Sequence, residues 1–196
     1  MSMITADGIS KKYGDSHVLA PVSFRVDDGG RLCIMGPSGS GKTTLLKVIA
    51  GLLETDTGSL SGVPEKIAVM FQEDRLCEDF SAISNIRLAA GREMSRAQIE
   101  EHLKEAGLSD SIKKPVKLFS GGMKRRLAIV RAMCYNAPLI LMDEPFKGLD
   151  AEMKKQMMEY VNKYSEGKTL IYVTHDASEA QFLGGEIIEM SMNNRQ

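Results

Sequence analysis

Gly36-Pro37-Ser38-Gly39-Ser40-Gly41-Lys42-Thr43 is the stretch on which the reading of this 196-residue chain turns. From Gly36 to Gly41 the backbone is free to curl its N–H groups around phosphate oxygens. Lys42 adds a positive point charge, and the Thr43 hydroxyl is a ligand of the kind Mg²⁺ takes. The flanks supply the context such a loop needs. Arg31-Leu-Cys-Ile-Met35 is a short apolar run suited to a buried strand, and Thr44-Leu-Leu-Lys-Val-Ile-Ala50 opens a helix. Strand, loop and helix follow in order, so the helix aims its dipole and unpaired amides at the phosphates, with Thr44 beside them. A flexible glycine turn explains neither Lys-Thr nor the apolar flanks. The stretch implies a site for a nucleoside triphosphate.

Composition narrows the class. With 43% hydrophobic residues the chain has ample material for one packed domain. The formal net charge is -1, with acids and bases interspersed, which argues against a nucleic-acid footprint. No apolar run approaches the roughly 20 residues that cross a bilayer, and Met1 to Asp7 lacks a basic segment followed by an apolar core; the expectation is a soluble, cytosolic protein. Cys33, Cys77 and Cys134 are odd in number, far apart and without partnering histidines, so reduced thiols are expected rather than a disulfide framework or zinc site.

Outward from the loop, apolar runs at 22–26, 32–35, 67–71, 139–142 and 170–173, with a weaker one at 187–190, alternate with helix-like segments. This alternation predicts an α/β fold around a mostly parallel sheet. Ile4, Ile9 and Val18 lie among turn residues and predict an antiparallel β region before the loop. Between Asp79 and Pro115 the strand signal vanishes, and helices are predicted over 84–90 and 95–106. Ser95 and Gln98 form a capping box there, and Gly107 stands where that helix stops. Residues 193–196 are expected to fray.

Two further elements suit a phosphate site. Leu139-Ile-Leu-Met-Asp143-Glu144 is an apolar strand ending in two acids. Asp143 is placed to hold Mg²⁺ through water, and Glu144 to orient or deprotonate an attacking water. Ser120-Gly121-Gly122 opens a helix predicted over 123–135, making a second anion-binding end. Alone it is an ordinary helix-entry turn. The basic run Lys124, Arg125, Arg126 with Arg131 has no interleaved aromatics and is read as a solvated helix face. His17 and His102 are likewise read as solvated.

Together these motifs resemble the nucleotide-binding subunit of ATP-binding cassette (ABC) transporters, over almost the whole chain from Tyr13 to His175. The resemblance implies a single cassette spanning 1–196, with a core over 1–78 and 116–196 and a helical subdomain over 79–135 that overlaps the signature helix. It implies ATP and Mg²⁺ as ligands and a second cassette as partner. In that head-to-tail pair Ser120, Gly121 and Gly122 of one chain close on ATP held by the other. Tyr13, in Lys11-Lys-Tyr-Gly14, matches the aromatic that stacks on adenine. Gln72 matches the glutamine that senses Mg²⁺ and the γ-phosphate and whose loop couples to the membrane partner. His175 matches the histidine that contacts the γ-phosphate and supports Glu144. Asp150, in Phe146-Lys-Gly-Leu-Asp150, matches the contact to the opposing loop, and serves equally as a helix N-cap. Transmembrane permease subunits are implied as partners, with the chain peripheral on the cytoplasmic face.

Departures from the family pattern accompany the match. Met123 stands where glutamine is usual, and Lys147-Gly148 where Ser-Ala is common. Methionine cannot make glutamine's polar contact, so a weaker trans site is expected, though hydrolysis is still expected. Gln72-Glu-Asp-Arg-Leu76, followed by Asp79-Phe80, is similar to cassettes of nitrate, sulfonate or taurine importers. An exporter or lipoprotein-release cassette stays open as the alternative. A small-molecule kinase leaves Gln72 and Ser120-Gly-Gly unexplained, and a soluble ABC ATPase would show a second cassette or a long coiled-coil insertion.

Overall fold

The computed structural model describes residues 3–14, 16–91 and 93–191; the expected fraying of 193–196 lies outside them. Along the chain the strands are β1 (Ile4–Tyr13), β2 (Ser16–Val26), β3 (Arg31–Met35), β4 (Thr57–Ser61), β5 (Ile67–Met70), β6 (Leu139–Asp143), β7 (Thr169–Val173) and β8 (Glu186–Glu189). The α-helices are α1 (Lys42–Ile49), α2 (Ala82–Ala90), α3 (Arg96–Glu105), α4 (Gly121–Cys134), α5 (Ala151–Tyr164) and α6 (Ala177–Leu183). An antiparallel sheet in the order β2-β1-β4 covers a parallel sheet in the order β5-β6-β7-β3-β8. The α/β class, the parallel core and the antiparallel N-terminal region all match the expectation.

Strand periodicity builds two cores. Leu139 and Leu141 of β6 join Ile34, Leu45, Leu46, Ile171 and Val173 on the side of α1 and the antiparallel sheet. Ile140 and Met142, one residue out of phase, join Ala68, Met70, Leu127 and Tyr172 on the other side. All of β6 and β7 is buried, as expected of central parallel strands covered on both faces. The inserted helices have no separate interior: Ala82, Ile86, Ile99 and Leu103 belong to the same buried cluster as Met70 and Met142. Helix α4 is the shared wall.

Local signals explain most boundaries. Ser95 accepts from the Gln98 amide while the Gln98 side chain accepts from the Ser95 amide, so the capping box forms as predicted. Helices α2 and α4 each begin two residues earlier than apolar spacing suggests, because Ser81 and Ser120 cap them. Two elements had no predicted counterpart. Strand β4, Thr-Gly-Ser-Leu-Ser, offers a single large apolar residue and is held by pairing with β1. Helix α6 spans seven residues, too few to display a period.

Register places the functional ends. Parallel pairing sets Ile34 beside Val173, Asp143 beside Val173, and Met70 beside Met142. The residues that follow β3, β5, β6 and β7 therefore emerge at one edge of the sheet. In open α/β sheets that carboxyl edge is where ligands bind.

Candidate active site

The 36–43 loop is shaped by contacts that only glycine tolerates. Gly36 has φ 144° and Gly41 φ 94°, and a Cβ on either would lie 2.3 Å from a backbone oxygen, that of Met190 or Val18. Lys42 lies largely buried inside the curl, its Nζ donating to the carbonyls of Gly36 and Pro37 at 2.7 Å each. Helix α1 alone among the six α-helices described lacks a side-chain cap. Its first amides are thus unspent on the chain's own side chains and face the loop, the arrangement that takes up an anion. Ser40 Oγ, also buried, has no hydrogen-bond partner among the described residues.

The acids meet this loop directly. Thr43 Oγ1 donates to Asp143 Oδ2 at 2.6 Å across the sheet edge. Burial pushes the Asp143 carboxyl up from its ordinary value and the neighbouring Glu144 charge adds to this, against the Thr43 bond, Arg125 and Lys42. Glu144 follows with φ 47°, a left-handed conformation that for a non-glycine residue costs on the order of 1–3 kcal/mol. Its amide donates to the Val173 carbonyl at 3.0 Å, which ties that turn to the end of β7. Glu144 Oε1 lies 3.3 Å from His175 Nδ1, and Oε2 pairs with Lys147 Nζ at 2.8 Å, close in distance but without hydrogen-bond alignment. Burial raises the Glu144 carboxyl, yet Lys147 and then His175 together bring it below its usual range. Lys147, noted in the sequence only as a departure, therefore sits on the carboxylate it follows.

The other predicted residues are placed as follows. Gln72 comes just after β5; its side chain is exposed and makes no hydrogen bond among the described residues, while its carbonyl accepts from Arg125. Tyr13 ends β1 and is 59% exposed. Pro37, Ser38, Gly39 and Thr44 lie in or beside the loop, with the Ser40 amide closing onto the Pro37 carbonyl. Ser120 Oγ caps α4 by accepting from the Met123 amide at 3.3 Å. Around Gly121 a Cβ would meet nothing within 4 Å, and around Gly122 only Leu149 at 3.7 Å. Asp150 caps α5 through the Met153 amide at 3.0 Å. Lys42, Thr43, Asp143, Glu144 and His175 thus converge, and no hydrogen bond or ion pair joins them to Tyr13 or to the 120–122 loop among the described residues.

Two readings from the sequence are corrected. The basic residues of α4 are not a solvated face: Arg125 is 5% exposed and donates to the carbonyls of Phe71, Gln72, Asp143, Glu144 and Pro145. Arg126 donates to the Ala106 and Gly107 carbonyls at the end of α3, Arg131 to those of Asp74 and Arg75, and Lys124 pairs with Glu78. Composition alone could not show this, because the partners of the three arginines are mostly loop carbonyls contributed by any residue type. His102 is also not solvated. It is half-buried between α3 and α5, its Nδ1 2.6 Å from the Tyr160 hydroxyl and its ring against Tyr164. Asn85 was missed altogether: fully buried, it accepts from the Cys77 amide and donates to the carbonyls of Cys77 and Ser81, pinning the turn after Gln72.

Comparison with known proteins gives the family. Residues 19–147 match the model of the ABC transporter family. The chain belongs to that family. It is 34% identical, over 93% of its length and 72% of the other protein, to the aliphatic sulfonates import ATP-binding protein SsuB 2 of Burkholderia cenocepacia (strain HI2424). It is 35% identical, over 92% of its length and 76% of the other, to SsuB 1 of Paracoccus denitrificans (strain Pd 1222). A dimeric ATP-binding cassette, MJ0796, solved in a post-hydrolysis state bound to ADP and Pi, superimposes with a TM-score of 0.83 at 30% identity, over 95% of this chain and 94% of that one. This chain is an ABC ATPase that energises transport. No described helix is long and apolar enough to cross a membrane.

Proposed function

We propose that this chain hydrolyses ATP for the import of a small organic anion. It works as a head-to-tail pair of cassettes beneath separate permease subunits, on the cytoplasmic face of the membrane. The observation that carries the hydrolytic reading is the chain of contacts from Thr43 through Asp143 to Glu144 and His175 beside an uncapped α1. The import reading rests on the sulfonate-importer relatives, together with the 72–80 segment that resembles theirs.

In this reading the amides of the 36–43 loop and of α1 bind the phosphates. Lys42 exchanges its two carbonyl partners for phosphate oxygens, and Tyr13 stacks on the base. The Thr43 hydroxyl and Asp143 carboxylate, already side by side, are hard oxygen donors and fit Mg²⁺, which when bound neutralises charge on the transferred phosphoryl group. Glu144 accepts the proton of the water it orients. His175 steadies that carboxylate at Oε1 and reaches the γ-phosphate, while Gln72 stands opposite on its loop. Ser120, Gly121 and Gly122 of the second chain close the cage, with Asp150 contacting the opposing loop. The core over 1–78 and 116–196 and the helical part over 79–135 act as the two halves of one cassette. Its surface from Leu76 to Phe80, where exposed Phe80 is joined to the 116–118 turn by the Val116 amide, receives the permease.

The test is Glu144→Gln. Turnover should fall by about 100-fold or more while ATP binding persists, and size-exclusion chromatography should show an ATP-stabilised dimer. Normal turnover in that variant would remove Glu144 from the role of base.

A further inference from the structure

We propose that Arg125 is a positioning residue for hydrolysis: it holds the backbones of Gln72 and Glu144 in working geometry and ties both to the helix that presents the second phosphate cradle. This rests on the roles assigned above to Gln72 and Glu144.

The guanidinium has five N–H donors in a rigid plane, and here all three nitrogens are engaged. Nε donates to the Pro145 carbonyl at 2.9 Å. Nη1 donates to the carbonyls of Phe71 at 3.2 Å and Gln72 at 2.9 Å, and to Asp74 Oδ1 at 3.0 Å. Nη2 donates to the carbonyls of Asp143 and Glu144. Five of these six acceptors are backbone oxygens at the carboxyl ends of two neighbouring strands, β5 and β6. They lie on the two segments that carry Gln72 and Glu144. A lysine ammonium, compact and without the fork, cannot span both.

Two further observations give the contact its direction. Glu144 keeps a left-handed φ, and its own carbonyl and those on either side of it all accept from Arg125, so the turn is held against relaxation. Arg131, farther along α4, donates to the Asp74 and Arg75 carbonyls and gives the loop a second anchor on the same helix. Ser120 caps that helix five residues before Arg125. Any movement of the 120–122 loop on meeting a second molecule's nucleotide is therefore delivered to Gln72 and Glu144 of its own chain.

Arg125→Lys in the full chain tests this, with ATP affinity, turnover and amide hydrogen exchange measured on the same sample. The expected result is ATP affinity within about twofold of the parent and turnover lowered by about tenfold or more. Exchange should quicken at the hydrogen-bonded amides of Cys77, Glu144 and Lys147 and stay unchanged in β7. Uniformly faster exchange, parallel loss of affinity and turnover, or parental turnover would each overturn the proposal. If Arg125→Lys does not fold, Asp74→Ala removes one limb of the contact. It should quicken exchange at Cys77 with a smaller loss of turnover, and unchanged exchange there would count against the idea. Local exchange reads the Arg125 contact whether or not Glu144 is the base, so a failure here is distinct from a failure of Glu144→Gln.

Discussion

In the 36–43 loop the glycines answer to their own chain. Positive φ at Gly36 and Gly41 and a backbone oxygen 2.3 Å from each imagined Cβ leave no other residue. In the 120–122 loop nothing inside the chain makes that demand: Gly121 has open space, and Gly122 has ordinary contact distance to Leu149. The helices behind the loops differ in the opposite sense. α1 has no side-chain cap, whereas Ser120 caps α4 and completes it as a helix. One loop is a finished part of the monomer; the other is a capped helix end whose two glycines meet no demand within the described residues, as the proposed closure on a second chain's nucleotide requires.

Substitutions separate the two cases. Gly36→Ala should cost about 3 kcal/mol or more of folding stability, read by urea unfolding, because backbone rather than a movable side chain blocks the Cβ. Gly121→Ala should leave stability within about 1 kcal/mol of the parent, since alanine is the better helix former, yet lower ATP turnover by about tenfold or more. Unaffected turnover in Gly121→Ala would break the comparison. Met123→Gln, which restores the residue usual in the family, should raise turnover by about threefold, on the order of one net hydrogen bond, without moving the ATP affinity of the isolated chain.

The smallest expected effect concerns the seam between α3 and α5, which steadies the helices around α4. Burial holds the His102 ring below its ordinary 6.5; Glu105 and Glu101 oppose this, and Lys163 and Lys168 add to it. A lowered folded-state value means the neutral ring fits the fold. Its contribution is whole above pH 6.5 and is lost as pH falls through the folded value. Unfolding followed at descending pH should show this loss in the parent and a flatter profile in His102→Gln, and identical profiles would exclude the seam as its source.

The legible parts of the molecule share a physical cause. Strand β6 announces itself because both of its faces are buried, and the 36–43 loop because backbone geometry and charge leave little choice of residue. Ser95 and Gln98 predicted their own capping box for the same reason: the partners are close in sequence and chemically specific. Arg125 and Arg131 were opaque because nearly all their partners are carbonyls from distant segments, and Asn85 because its partners are backbone groups of the turn before it; neither carries a residue signature. His102 reads as a surface histidine until Tyr160 and Tyr164 are brought alongside by a helix 58 and 62 positions away. Lys147 marked a departure in the sequence; only folding shows it against Glu144.

In the head-to-tail pair proposed above, the placement of the two cradles on separate helices, α1 and α4, has a consequence for inheritance. A cell carrying one gene copy disabled at Lys42 and another disabled at Ser120 would make three kinds of pair. In the mixed pair both lesions fall on one nucleotide, and the other nucleotide meets an intact loop from each parent. Two inactive alleles would then restore partial transport together, an intragenic complementation that a cassette completing its site within a single chain could never display.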